Sequence, residues 1–461
     1  MTSLTDSQRL ARTRMLLDDL ITHVENERNR LNPPLVTADR IPDAQAIFRS
    51  PAAIFPILPI EIVDHVCQRL VMRDLASIAK ANSALNAVGT RRLYHTIGVD
   101  MQPARLLRCM ISLDRSVDLP LLVRTLEVNL INHLPTRTYY VLVERLLRKM
   151  VNLTTLVIEL PKRHSPVWTL PMPPSPSPSS ATASSSTIPP SPSSSSTPSS
   201  SQIFRLRSLT TSMHCKSPLA RFLDSQPEIT ELTLRGINSD SSNPLFPFIT
   251  TLFQSVGATA PLPSSSTLPS RPSKFTLLPT SLPKLSHFNA IHAGPTVIRD
   301  IITSRPVTHM SIPLFPPHTM ETLSALSLTS KPLTRLSVMS FDPNAPHFIF
   351  SELSTRFPDL EALHIVVLMA EVTAPMLLDW GEYLAGFRRL KYITFMAALG
   401  GEEDGGEREE IDERRIAKVW HSSCPTLKTI ILPQGKVWFE GSKTDDENED
   451  GDWKCLNWDE D

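Results

Sequence analysis

A short apolar word, Leu-x-x-Leu-x-(apolar), returns along most of this chain and restricts its fold more than any other feature. It reads Val123/Leu126/Val128, Leu153/Leu156/Ile158, Leu206/Leu209 and Ile229/Leu232/Leu234 in the first half. Further on come Val307/Met310/Ile312, Leu333/Leu336/Val338, Leu360/Leu363/Ile365, Leu390/Ile393/Phe395 and Leu427/Ile430/Leu432, with a weaker copy at Leu282/Leu285. Leu126 to Leu156 is 30 residues, Leu209 to Leu232 is 23, Met310 to Leu336 is 26, and Leu336 to Leu363 is 27. Between the words lie amphipathic segments: 139–150, 218–225, 297–303, 320–326, 348–357, 376–387 and 411–420. Period 2 alternating with period 3.6 at near-constant spacing predicts an α/β array of stacked strand–helix units.

The unit length matches a leucine-rich repeat, in which a strand and a helix share about 20–29 residues. The asparagine that usually follows the strand is out of register, with Asn132 and Asn238 nearest. An irregular solenoid, or a plain run of βα units, is therefore expected. Three insertions interrupt it. Residues 165–201 are Ser/Pro/Thr low complexity, 239–274 are a milder version, and 400–410 are Gly/Glu-rich. The first two cannot build a core and are expected to be disordered. Ser175, Ser177, Ser191 and Thr197 each precede a proline, which makes them candidates for proline-directed phosphorylation.

Charge is divided unevenly. Residues 400–461 hold 18 acidic and 8 basic side chains, while the whole chain has a formal charge of −1. The balancing positive excess is spread thinly, so no nucleic-acid partner is expected. Five cysteines without a CxxC pair indicate neither a zinc module nor a disulfide framework. The first residues lack an apolar h-region and no apolar run approaches a membrane span, so no membrane association and a cytoplasmic or nuclear location are expected. Forty-two prolines against 14 glycines predict many interruptions between elements.

Ahead of the repeats, residues 7–31 carry a helical apolar stripe that Asn32-Pro33-Pro34 ends, and 33–53 read as connector. The stretch from Ile54 to Ile97 then holds three short amphipathic segments. Leu58-Pro59-Ile60-Glu61-Ile62 sets proline where its missing N–H costs nothing and a carboxylate in the first turn. Asp74 is a plausible N-cap for the second segment, and the third carries Leu85, Val88, Leu93 and Tyr94. Three such helices make too little core to stand alone, so they are expected to lean on a neighbour or offer apolar side chains to a partner.

This stretch resembles an F-box. The match is Leu58-Pro59-x-Glu61-Ile62, Leu70, Asp74-Leu75-x-x-Ile78-Ala79-x-x-Asn82 and Arg92-Leu93-Tyr94. Leu85 stands where many members place tryptophan, and Ala79 to Ser83 lack the usual Val-Ser or Val-Cys pair. The resemblance implies docking to a Skp-type adaptor and through it to a cullin complex. Carried over by position, Leu58, Pro59, Ile62, Leu70, Leu75 and Ile78 form most of the adaptor-facing surface. The whole layout, including Cys424-Pro425 and the tryptophans after it, is similar to F-box-like families of basidiomycete fungi.

No GxSxG, GxxxxGK, GxGxxG or HExxH sequence is present, so no catalytic residue, metal or cofactor is expected. His287, His309 and His364 fall in or beside the words and read as surface or edge residues. Residues 436–461 read as an acidic tail, solvated by default, with Trp438, Trp453 and Trp458 as the material for a cap on the last repeat. The expected order is an N-terminal helix and connector (1–53), an F-box-like unit (54–98), an irregular leucine-rich-repeat solenoid (99–435) and the tail. The expected function is substrate recognition for a Skp–cullin–F-box ubiquitin ligase. A protein target of unknown identity would be read by side chains in the words, such as Arg124, Thr155, Arg235, Arg335 and Glu361. The alternative is a non-catalytic scaffold whose first helices only cap the array.

Overall fold

The computed structural model describes residues 59–81, 83–131, 137–161, 204–235, 275–400, 412–440 and 453–456. The helix expected over 7–31, the insertions with their Ser-Pro and Thr-Pro sites, Leu58, Asn132, Asn238 and Trp458 lie outside these residues. The chain divides into two compact units, Met1–Val63 and Asp64–Asp461. In the first, the Pro59 carbonyl accepts from the backbone of Ile62 and Val63, which starts helix α1 (Ile60–Gln68).

The second unit is mixed α/β, and among the described residues it holds one open sheet of 13 strands in strict sequence order. Its first eleven strands run parallel: β1 (Thr96–Ile97), β2 (Thr125–Asn129), β3 (Thr155–Glu159), β4 (Ser208–Thr211), β5 (Glu231–Leu234), β6 (His287–Ala290), β7 (His309–Leu314), β8 (Arg335–Ser340), β9 (Ala362–Val372), β10 (Tyr392–Leu399) and β11 (Thr429–Ile431). The middle residue of each strong word sits opposite that of the next, as in Leu126–Leu156, Leu209–Leu232, Met310–Leu336 and Leu363–Ile393. All eight are buried, and truncating such a core leucine to alanine costs about 2–5 kcal/mol. The weak copy Leu282/Leu285 falls one step short of its strand: Phe288, not Leu285, pairs with Leu232 and Met310. A phenylalanine in the leucine position hides the true word.

Helices join the parallel strands because a parallel neighbour cannot be reached by a tight turn. They are α4 (Pro103–Arg115), α5 (Leu119–Leu122), α6 (Arg137–Lys149), α7 (Ser217–Asp224), α8 (Pro295–Ile302), α9 (Thr319–Leu326), α10 (Ala345–Arg356), α11 (Ala374–Asp379), α12 (Gly381–Leu384) and α13 (Glu413–Ser423). Proline sits in the first turn of α4, α7, α8, α10 and α11, so part of the proline excess marks helix starts. The single helix expected over 376–387 is two, α11 and α12, with the buried Trp380 between them against Phe350 and Phe395.

The residue after the first apolar position of each word is often Ser or Thr, and its hydroxyl has a structural task. Thr154 donates to the Arg124 carbonyl, Thr230 to Arg207, Ser286 to Thr230, Thr308 to Ser286 and Thr334 to Thr308, at 3.1–3.4 Å. This ladder ties the entry of each strand to the one before. At the strand exits, side-chain oxygens of Asn129, Thr211 and Ser340 accept from the backbone two residues on. Those local turns do in part the work of the missing asparagine.

Near residue 98, α3 (Ser83–Leu93) leads into β1, and Ile97 joins the main core. The sheet also continues into the expected tail. β12 (Val437–Glu440) pairs antiparallel with β11, and β13 (Trp453–Leu456) with β12. Trp438 is 8% exposed and its indole N–H donates to the Glu413 carboxylate at 3.3 Å. Apolar burial there outweighs the acidic composition that suggested a solvated end.

Candidate recognition surfaces

Two regions hold the residues singled out from the sequence. The first is the helical segment containing α1, α2 (Met72–Ile78) and α3. Cys67, Leu75, Ala79 and Val88 are buried yet stand apart from the main core, a small set of their own. Asp64 accepts from Arg91 at 2.8 Å and from Nε and Nη2 of Arg92, which fastens the end of α3. Hydrogen bonds from Arg92 first, and then from Arg91, hold the Asp64 carboxyl far below the usual carboxylate range.

Of the six residues expected to face an adaptor, Leu58 lies outside the described residues and Pro59 and Ile62 are exposed. Leu70 and Ile78 are half-buried, whereas Leu75 is 4% exposed and belongs to the small inner set. The structure adds residues that the motif did not single out. Beside Ile62, helix α1 exposes Ile60 and Val66, and the start of α2 exposes Val71 and Met72, all five at 49–65%. Helical spacing on short, isolated segments could not tell which apolar residues face inward, because several faces carry them.

The second region is the solvent face of the sheet in the Asp64–Asp461 unit. Alternation sends every second strand residue outward, and parallel pairing aligns those residues in rows across the strands. One row runs Glu231, His287, His309, Arg335, Ala362, Tyr392. The next runs Thr233, Asn289, Ser311, Ser337, His364, Thr394. Together they line an open groove of about 670 Å³.

The groove's electrostatics follow from its neighbours. The rings of His287 and His309 stack at 4.2 Å. The Nδ1 of each lies 2.9 Å from the hydroxyl one residue earlier, on Ser286 and Thr308. The same hydroxyls donate to carbonyls in the ladder, which ties both rings to the strand entries. Burial, then His287 and Arg335, lower the His309 pKa, and burial lowers that of His364. Arg335 is exposed and makes no ion pair among the described residues.

The other word residues have local tasks. Arg124 donates to the Asn152 carbonyl, and Arg235 pairs with the buried Glu159 at 2.6 Å. Glu361 is held by Lys391 at 2.9 Å and Arg389 at 2.6 Å, and both lower its pKa, Lys391 most. Thr155 shares the outer row with Arg335, five strands away. The histidine–arginine row escapes sequence reasoning as a unit, although its signal is present: Glu231, His287, His309 and Arg335 all precede the middle apolar residue of their words.

Among the described residues no cluster of His, Cys, Asp and Glu is placed to hold a metal ion, and no helix is long and apolar enough to cross a membrane. None of the five cysteines is joined in a disulfide. No protein-family model matches the chain, and no curated protein shows significant similarity to it.

Proposed function

We propose that this chain is the target-recognition subunit of a Skp–cullin–F-box ubiquitin ligase. In this reading, α1–α3 form an F-box-like docking unit and the strand–helix array is an irregular leucine-rich-repeat solenoid. The observation that carries it is the exposure of Ile60, Ile62, Val66, Val71 and Met72 in the stretch that resembles the motif. Leaving five large apolar side chains in water within 13 residues is unfavourable, by about 25 cal/mol per Å² of apolar surface, unless a partner covers them. An adaptor groove would take them as an amphipathic helix is taken. The open sheet face would hold the target, and catalysis would come from proximity to the recruited ubiquitin-conjugating enzyme. The location that goes with this is cytoplasm or nucleus, where free thiols persist.

A scaffold reading has its own support: Leu75 lies inside the small set with Cys67, Ala79 and Val88 instead of facing out. In that reading the helices only cap the array. Pull-down with a Skp-type adaptor separates the two, comparing wild type with Ile62→Asp and Val66→Asp, which change exposed positions and leave the buried set intact. Capture by wild type and loss in both variants supports the ligase reading. Equal capture, or none from any form, leaves the scaffold.

A further inference from the structure

We propose that the open face between β6 and β10 seats an amphipathic α-helix of a target protein, its acidic flank over the histidine–arginine row and its apolar flank over a methionine-rich strip. This rests on the reading of that face as the recognition surface, and not on adaptor docking.

The strip is a third outward row. Met339 pairs with Val366 and Val366 with Met396, and Ile291 follows β6 on the same side. Met339 and Ile291 are 44% and 43% exposed. Next to them the β9–β10 register jumps: Ala397 faces Val367, but Ala398 faces Glu371. The extra residues push Leu368 and Met369 outward, to 48% and 45% exposure. Bulges of this kind re-aim side chains beside functional sites, and methionine adapts to a partner's shape. A surface of serines, threonines and histidines thus ends in a concentrated apolar margin.

The dimensions fit a helix. The charged row and the strip are four residues apart along a strand, about 13 Å. A helix with its side chains is about 10–12 Å across. Between them the floor is small and polar at Asn289, Ser311 and Ser337, so a helix can lie close there, and His364 stands beyond them with Nδ1 3.0 Å from the Ser337 hydroxyl. Five strands span about 19 Å, the length of about 13 helical residues. An extended segment would seek a strand edge, because its affinity comes from backbone pairing, which a sheet face does not offer.

Charge sets the orientation. Arg335 carries a full charge at the centre of the groove, and its guanidinium is the group that an acidic side chain of the visitor would meet. Glu361 is already neutralised by Lys391 and Arg389. Glu231, at the far end of the row, favours a basic residue there.

The test is selection of displayed peptides of about 16 residues, enough for a helix of this length, on the full chain. Selected peptides should carry acidic residues on one stripe and Leu- or Met-like residues on another, at helical spacing. Their affinity should fall about tenfold or more for Arg335→Glu and for Met339→Asp, both at exposed sites. Peptides that are basic, lack helical spacing or bind Arg335→Glu undiminished overturn the proposal, as does a selection that enriches nothing. A chain that captures the adaptor yet selects no such peptide loses this inference alone, and one that selects such peptides without capturing the adaptor loses only the ligase reading.

Discussion

The imidazole of His287 lies on that of His309, with ring centroids 4.2 Å apart and planes 22° from parallel. The two residues are 22 positions apart in sequence and directly opposite in neighbouring parallel strands. Two imidazolium ions at this separation would repel, so protonation of His309 is opposed where it stacks.

That opposition gives a pH dependence with a definite sign. Burial, His287 and Arg335 lower the His309 pKa, and burial lowers those of His364 and His95 most. A lowered value means that the unfolded chain binds the proton first. The stability from these groups is therefore present above the unfolded histidine pKa, about 6.5, and is lost as the pH falls through the folded values. Glu127 and Glu413, raised mainly by burial, act with the opposite sign at lower pH. Urea unfolding of wild type and His309→Gln at about pH 7.5 and about pH 5.5 should show a smaller drop in midpoint for the variant. Parallel drops would mean that the stack does not govern titration here.

Gly98 directly follows β1, ahead of α4, with φ at +100°, and a Cβ there would lie 1.8 Å from the Glu127 carbonyl oxygen. Gly98→Ala therefore meets both a backbone clash and an unfavourable dihedral, a loss of about 3 kcal/mol or more. Gly435, with φ at +82°, has no atom within 4 Å of the place a Cβ would take. Gly435→Ala should lose only about 1 kcal/mol from the dihedral. Denaturant midpoints of the two variants would check the ordering, and similar losses would show that the close approach at Gly98 relaxes.

Arg305 is 3% exposed and donates to five carbonyls: Ser281, Leu278, Asp300, Ile301 and Thr303. It thereby joins the loop before β6 to the C-terminal end of α8, where unpaired carbonyls accumulate. Arg305→Met keeps much of the bulk but strands those acceptors, a loss of about 3 kcal/mol or more. Arg305→Lys should recover only part of it, because one ammonium cannot reach the acceptors that the planar fork spans. Full recovery by lysine would show that charge alone matters.

Much of the sheet is legible in the sequence because the word repeats its burial pattern many times. Each strong word forms a strand, and its middle residue meets the next word's middle residue across the ladder. Where a word changes chemistry, as at Phe288, the register read from leucines slips by one step. Where composition points to a solvated tail, Trp438 and the strand around it join the sheet.

Local periodicity in the sequence determined which residues turn inward in each strand, since alternation is a property of the strand itself. It also determined that each unit needs a helix to reach its parallel neighbour. Only the tertiary structure decided that His287, His309 and Arg335 form one row, that Met339 and Leu368 share a margin, and that Leu75 lies inside while Ile62 does not. Rows and margins arise from pairing between residues tens of positions apart, and no single stretch of chain contains that pairing.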